Sequence, residues 1–425
     1  MRYYLVSFLA IAVFVVPWTA ANYPGLADEM VATVGRTGSE LAAVVLAHDP
    51  VTVDALKSGY AAAEAPGGTK IRILIVPGHE PDYGGAEYGS LKERDMTAEL
   101  GRDLLGLVTN DDHFQAFTTR TATAWTPEFD AYFKDGMKDI AAWRRAHIAE
   151  TAALAKISGS VAESTPATHV VSHTTARDDV ALRLYGVDKW ADEHAIDIVI
   201  HIHFNDYPGH TGNGPGSYNG FAIYVPEKQY YNSTSTSALA ETVYDRLKKY
   251  NAVSNLPGED AGIVQEPDLI AIGPYNTVDA ASMLIEYGYI YEPQFQDPAV
   301  RSETMKELAY ETYLGLLDFF DPNSSAIAAK TYDTLVLPHR WDQPLDPRTA
   351  SAPDIFALQT ALIADGDYPP VGKSLTQCPR SGTFGACTKA ALASFQAKYE
   401  IDGEDGLVGS TTMSTLNKIY APDTI

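Results

Sequence analysis

Four polar residues, each within or just after a short apolar run, are of the types needed for metal-assisted hydrolysis. They are His79 in ILIVPGHE, Glu93 in LKERDM, His203 in IDIVIHIHFND and Glu286 in SMLIEYGYI. Two imidazole nitrogens and one carboxylate oxygen can bind a zinc ion and leave a coordination position for water, whose proton a second carboxylate can accept. The residue types therefore predict a zinc hydrolase, but they leave open which three of the four bind the metal.

The run IDIVIHIHFND adds a fifth candidate. In a strand, His201 and His203 project from one face, while Ile200 and Ile202 project from the other. Two imidazoles in so apolar a strand are unfavourable unless they are paired, bound to a metal or part of an active site. Asn205 follows directly and could orient a ligand or substrate through hydrogen bonds, or could be an ordinary turn residue.

The other three positions also have purely structural interpretations. His79 follows a Pro-Gly turn and could be a surface-loop histidine. Glu93 could offset the dipole at the start of a helix. Glu286 could face solvent on an edge strand, although a carboxylate among Met, Leu and Ile favours pairing, metal binding or catalysis.

Apolar, β-branched runs alternate with helical stretches from Ile71 onward. This alternation predicts an α/β fold with a mixed twisted sheet flanked by helices. We expect a catalytic domain over residues 71–322, with a helical insertion at about 126–180 that could form one wall of a cleft. Residues 22–70 are predicted to be an N-terminal helical segment and linker.

The N-terminus has the features of an export signal. Arg2 precedes the apolar run YYLVSFLAIAVFVV, and the small residues Ala20 and Ala21 follow it. This pattern is typical of a signal peptide, here residues 1–21, and predicts export to the periplasm, the cell wall or the medium. An uncleaved membrane anchor is the alternative, because Tyr3 and Tyr4 would suit a membrane interface.

Charge and cysteine content narrow the range of partners. The chain has 31 basic and 55 acidic residues, a formal net charge of -24, so nucleic acid is not an expected partner.

The chain's two cysteines, Cys378 and Cys387, are predicted to form a disulfide after export, since a zinc site built on two cysteines would lack its other ligands.

The C-terminal region contains an internal repeat. A Gly-x-x-Gly-x-x-Thr pattern begins at Gly382 and again at Gly406, and each copy leads into a short apolar helix, KAALASFQ or MSTLNKIY. With the helix of DIFALQTALIADG, these units predict a three-helix domain over residues 351–422, after a Pro-rich linker at 323–350.

The polar blocks, taken in order, resemble a known family. IVPGHEPDYGGAEYG, KERDM, DIVIHIHFND and LIEYGYI are similar to the zinc-dependent N-acetylmuramoyl-L-alanine amidases, which cut peptidoglycan. SGTFGACTKAALASFQ and DGLVGSTTMSTL resemble the small peptidoglycan-binding domain that is often attached to wall hydrolases. The resemblance implies zinc bound by His79, Glu93 and His203, Glu286 as the catalytic carboxylate, and peptidoglycan as the substrate.

Two points stay open beside this resemblance. The family usually has a serine two residues before the third ligand, whereas this chain has His201, which could replace Glu93 as a ligand or could assist from the same strand face. The expected reaction is hydrolysis of the amide between N-acetylmuramic acid and L-alanine. The alternatives are a zinc peptidase or other amidohydrolase acting on wall peptides, and a catalytically inactive wall-binding protein.

Overall fold

The computed structural model describes residues 50–157, 176–207, 210, 214–228, 230–265, 269, 279–328 and 332–421. The predicted signal peptide lies outside these described residues, as does the Ser/Thr-rich part of the predicted insertion at 158–175. Within the described ranges, no helix combines the length and the apolar character that a membrane span needs.

The sheet at the centre of the fold has six strands in the order β4-β1-β5-β8-β6-β7. The strands are β1 (Ile71–Pro77), β4 (Phe114–Thr118), β5 (Ile198–Asn205), β6 (Ala222–Val225), β7 (Ile263–Gln265) and β8 (Ala281–Tyr289), and a small hairpin is formed by β2 (Glu87–Tyr88) and β3 (Leu91–Lys92). β4, β1, β5 and β8 are mutually parallel, whereas β6 pairs antiparallel to β8. The predicted mixed sheet is therefore confirmed.

Helices cover both faces of the sheet and continue into the C-terminal region. They are α1 (Val53–Ala63), α2 (Glu93–Thr109), α3 (Pro127–Ile157), α4 (Asp178–Glu193), α5 (Ser233–Tyr250), α6 (Pro293–Gln296), α7 (Pro298–Phe320), α8 (Pro322–Ala328), α9 (Ala352–Asp365), α10 (Ala386–Lys398) and α11 (Ser410–Tyr420). On one face, α2, α5 and α7 share one apolar core that includes Ile73 and Ile75 of β1. On the other, α3 and α4 share a second apolar core that includes Leu74 and Val76. This two-sided cover explains why the strands are apolar along nearly their whole length.

Helix α1 precedes Ile71, the residue at which the apolar strand pattern begins. Its Leu56 and Tyr60 are buried and belong to the same core as β1 and α2. Thr52 caps the helix by accepting a hydrogen bond from the amide of Ala55. Helical packing against the sheet therefore starts before the first strand.

The C-terminal region has its own apolar core around α9, α10 and α11. The sequence repeat is visible in its hydrogen bonds, because Gln359 accepts from the amide of Gly382 and Gln396 accepts from the amide of Gly406. Cys378 and Cys387 are joined by a disulfide. The buried Arg380 lies 3.5 Å from Glu307 of α7, which ties this region to the sheet domain.

Candidate metal centre and active site

His79 lies just beyond the carboxyl end of β1, where the chain passes very close to β5. The amide of Gly78 donates to the carbonyl of Ile202 over 2.9 Å. A Cβ at position 78 would lie 2.4 Å from the ring of His203, so only glycine fits there. His79 itself has a φ of 68°, a left-handed conformation that is rare for residues other than glycine.

Glu93 is the first residue of α2, and its carboxylate is held by backbone amides. Oε2 accepts from the amide of Ala86 over 2.8 Å, and Oε1 accepts from the amide of Phe204 over 3.1 Å. The glycine-rich loop before α2 approaches closely, since a Cβ at Gly85 would lie 2.9 Å from the His79 ring. The carboxylate is therefore buried and has a fixed orientation.

His79, Glu93 and His203 converge on one point. Nε2 of His79 lies 2.8 Å from Oε1 of Glu93, and Nδ1 of His203 lies 3.0 Å from the same oxygen. One ligand atom from each of the three residues lies within 4.8 Å of the other two. Glu93 and His203 lie 110 positions apart in the sequence, and the fold brings them together with His79 at one corner of the sheet.

The charge of this cluster is concentrated on Glu93. Burial alone would raise the pKa of its carboxyl, but His79 and His203 outweigh that effect and hold the pKa well below its usual value. Burial lowers the pKa of His203, which favours the neutral imidazole. An ionised carboxylate beside a neutral imidazole is the protonation state that a metal ion requires of its ligands.

Glu286 lies beside the cluster on the neighbouring strand. It is the register partner of His203 in the parallel pair β5–β8. The side chain is buried, and Oε2 has no hydrogen-bond partner among the described residues. Burial, with further contributions from Glu93 and Glu259, raises the pKa of its carboxyl well above the usual value.

The two remaining candidates occupy different surroundings. His201 is 1% exposed, and burial lowers its pKa to about 3, so the ring is neutral. Its Nε2 is buried without a hydrogen-bond partner in the described part of the chain, and it lines the same cleft as His203. Asn205 also lines this cleft, and it donates to the buried carboxylate of Glu259 over 3.2 Å.

Two groups around the site were not singled out by the sequence. Arg120, at the end of β4, is buried and donates to the carbonyl oxygens of Pro77 and Gly78. Glu80 forms an ion pair with Arg183 of α4 at 2.8 Å. Both depend on contacts between residues far apart in sequence, so strand and helix periodicity could not reveal them.

All the candidate side chains except those of the disulfide open onto one cleft of about 570 Å³. One wall is formed by α4 and the segment before it, through Arg177, Val180 and Arg183. The floor includes the ends of β5 and β8. This cleft is large enough for a peptide or sugar unit, and it gives such a ligand direct access to the cluster.

The residues present fit a zinc ion. Nε2 of His79 lies close to Glu93 yet makes no hydrogen bond with proper geometry to any described residue, so its lone pair or proton is otherwise unused. Two imidazoles and one carboxylate form a donor set typical of catalytic zinc with an open position. The hydrogen bonds from backbone amides to Glu93 orient its carboxylate, as hydrogen bonds to metal ligands usually do.

The fold and the site define an α/β protein in which two histidines and a carboxylate meet at the carboxyl ends of parallel strands, beside a second buried carboxylate. Residues 134–318 match the family of N-acetylmuramoyl-L-alanine amidases, and residues 351–416 match a peptidoglycan binding domain. The chain thus contains an amidase domain of this hydrolase family followed by a peptidoglycan-binding domain, as the sequence predicts. The amidase match includes His203 and Glu286, whereas His79 and Glu93 precede it.

Solved amidase structures resemble the chain at low identity. An N-acetylmuramoyl-L-alanine amidase from Clostridium difficile 630 has 16% identity and a TM-score of 0.36, covering 60% of this chain and 98% of that one. The amidase AmiC2 of Nostoc punctiforme has 17% identity and a TM-score of 0.34, covering 59% and 96%. The catalytic domain of CwlV from Bacillus (Paenibacillus) polymyxa var. colistinus has 12% identity and a TM-score of 0.33, covering 59% and 98%. The chain has no significant match among curated protein sequences.

Proposed function

We propose that this chain uses zinc, held by His79, Glu93 and His203, to hydrolyse the amide between N-acetylmuramic acid and L-alanine in peptidoglycan. The observation that carries the proposal is the convergence of these three ligand atoms within 4.8 Å, beside the buried carboxylate of Glu286. When bound, zinc would acidify a water molecule and polarise the amide carbonyl.

Glu286 is proposed as the proton carrier. It lies on β8 directly across from His203, beside the proposed ligands, and it is not one of the three residues whose ligand atoms converge. It would accept the proton of the attacking water and pass it to the leaving amine of L-alanine. A raised pKa suits this role, because the carboxyl can hold the proton between the two transfers.

His201 is proposed to assist rather than to bind the metal. Its ring is neutral and buried on the same strand face as His203, and it can donate a hydrogen bond toward the reacting carbonyl oxygen. Asn205 is proposed to support the end of β5 through its bond to Glu259. This assignment keeps Glu93 in the ligand set.

We further propose a division of the chain into functional parts. We assign residues 71–322 to catalysis and residues 351–422 to peptidoglycan binding, with a signal peptide at 1–21 that directs export. An exported enzyme with both parts would meet its substrate in the cell wall. The disulfide between Cys378 and Cys387 is consistent with an oxidising compartment.

One digestion tests the proposed reaction. Purified protein is incubated with muropeptides of defined structure, then with chelator, then with chelator followed by excess zinc, and the products are identified by mass. Release of the free stem peptide that stops with chelator and returns with zinc supports the proposal. Cleavage inside the stem peptide would instead indicate a peptidase, and the absence of any chelator-sensitive product would indicate a binding protein.

A further inference from the structure

Arg120 is a buried cation that does not belong to the cluster of His79, Glu93 and His203. Its exposed fraction is 2%, and it stands at the end of β4, next to the start of the chain segment that leads to α3. A buried guanidinium is unfavourable unless its donors are paired. The partners of Arg120 therefore indicate what it does.

Its hydrogen bonds join two segments that carry candidate ligands. Nε donates to the carbonyl of Pro77 over 3.1 Å, and Nη2 donates to the carbonyl of Gly78, the residue before His79. The same Nη2 donates to the carbonyl of Arg94 over 2.9 Å, one residue after Glu93. One side chain thus links the backbone on either side of the His79–Glu93 pair.

Thr97 closes the link from the helix side. Its hydroxyl donates to the carbonyl of Gly78 over 3.1 Å and accepts from Nη2 of Arg120 over 2.9 Å. The first turn of α2 and the end of β1 are consequently bonded to each other and to the same guanidinium. The planar guanidinium presents several N–H donors in a fixed arrangement, which suits bonding to both segments at once. A lysine ammonium cannot reproduce this arrangement.

The conformation of His79 gives this link a purpose. A φ of 68° is strained for a histidine and persists only when the surrounding structure enforces it. Two of the carbonyls that Arg120 binds, those of Pro77 and Gly78, belong to the peptides just before His79. Without them, the loop could relax and carry the imidazole away from Glu93.

We propose that Arg120 is a positioning residue that sets the separation of His79 and Glu93 for metal binding. This inference rests on the proposed function, because it takes these residues as zinc ligands. Arg120 touches neither substrate nor metal in this account, and it acts through the backbone of the two ligand segments.

The test compares Arg120→Lys with Arg380→Lys, a matched control. Arg380 is also a buried arginine, paired with Glu307, but it lies between α7 and the C-terminal region. For each full-length protein, zinc affinity is measured by competition with a chromophoric chelator, the cobalt-substituted absorption spectrum is recorded, and the melting temperature is measured in excess chelator.

We expect Arg120→Lys to weaken zinc binding by at least about 10-fold and to alter the cobalt spectrum, because hydrogen bonds that orient the metal ligands are lost. Arg380→Lys should lower the melting temperature but change zinc affinity by less than about twofold. Unchanged zinc affinity in Arg120→Lys would overturn the proposal. So would a loss of zinc affinity in both variants that follows their loss of melting temperature.

Thr97→Val decides the matter if Arg120→Lys does not fold. This substitution keeps the shape of the side chain and removes the hydroxyl that Gly78 and Arg120 share. Weaker zinc binding with a folded metal-free protein supports the positioning role, and unchanged binding contradicts it. Wild-type protein that binds no zinc would contradict the proposed function itself, which separates that failure from this one.

Discussion

His203 and Glu286 are direct register partners on adjacent parallel strands, β5 and β8, at the end of the sheet where the cleft opens. One side chain belongs to the cluster of convergent ligand atoms, and the other is a buried carboxylate with an unpaired oxygen among the described residues. Strand pairing fixes their separation, so the proposed ligand and the proposed proton carrier lie on one rigid sheet. Rigid placement of this kind is what general acid–base chemistry beside a metal requires.

Replacing Glu286 by Gln should separate metal binding from turnover. The amide keeps the size of the side chain but can no longer carry a proton, so we expect the release of stem peptide to fall by about 10²–10⁴-fold. Zinc content, measured on the same sample by elemental analysis, should stay near that of the wild type. Near-normal turnover in this variant would remove Glu286 from the mechanism.

Replacing Gly78 by Ala should disturb the metal centre through contact alone. The added Cβ would lie 2.4 Å from the His203 ring, so the ring or the loop must move. We expect zinc affinity to fall by at least about 10-fold, measured by chelator competition.

Gly106→Ala provides the matched control for that substitution. Gly106 lies in α2, and a Cβ there meets nothing within 4 Å. This change should leave zinc affinity unaltered and raise the free energy of unfolding by about 0.5–1 kcal/mol, because alanine favours the helix. Equal zinc affinity in the two variants would show that the close contact at Gly78 does not matter.

Asp188 of α4 should make the stability of the protein depend on pH. It is buried, neither carboxyl oxygen has a hydrogen-bond partner in the described part of the chain, and burial raises its pKa well above the usual value. A raised pKa in the folded state means that stability is greatest below the pKa of the unfolded chain, about 3.9, and is lost as pH rises toward the folded value.

Asp188→Asn should remove this dependence. We expect the variant to gain about 1–3 kcal/mol in the free energy of unfolding at pH 8 and almost nothing at pH 4, measured by denaturant titration. Asp135→Asn, an exposed position in α3, is the control and should show no such divergence. A gain of the same size at both pH values would mean that the buried charge is not the cause.

Much of the fold and of the cluster follows from local patterns. The alternation of apolar runs and helices predicts the mixed sheet, and strand periodicity predicts that His201 and His203 share a face. A polar residue just after an apolar strand points to His79, since the ends of parallel strands meet at one edge of the sheet, and a carboxylate within an apolar run points to Glu286.

Long-range contacts are what the sequence leaves undetermined. In the sequence, Arg120 is an ordinary residue after a short strand. Only the folded chain shows that it donates a hydrogen bond to the carbonyl of Gly78, 42 positions away. Glu259 likewise accepts hydrogen bonds from Asn205 and Tyr224, which are far from it in the sequence. The order of β8 beside β5 is likewise set by packing, because no local pattern records which strands pair.

The choice between Glu93 and His201 is settled most directly by zinc content. Wild-type protein and the Glu93→Ala, His203→Ala and His201→Ala variants are purified in parallel, loaded with excess zinc, desalted and analysed for metal per chain. We predict one zinc per chain in the wild type and in His201→Ala, and loss of zinc in Glu93→Ala and His203→Ala. Full zinc content in Glu93→Ala together with loss in His201→Ala would contradict the proposed ligand set.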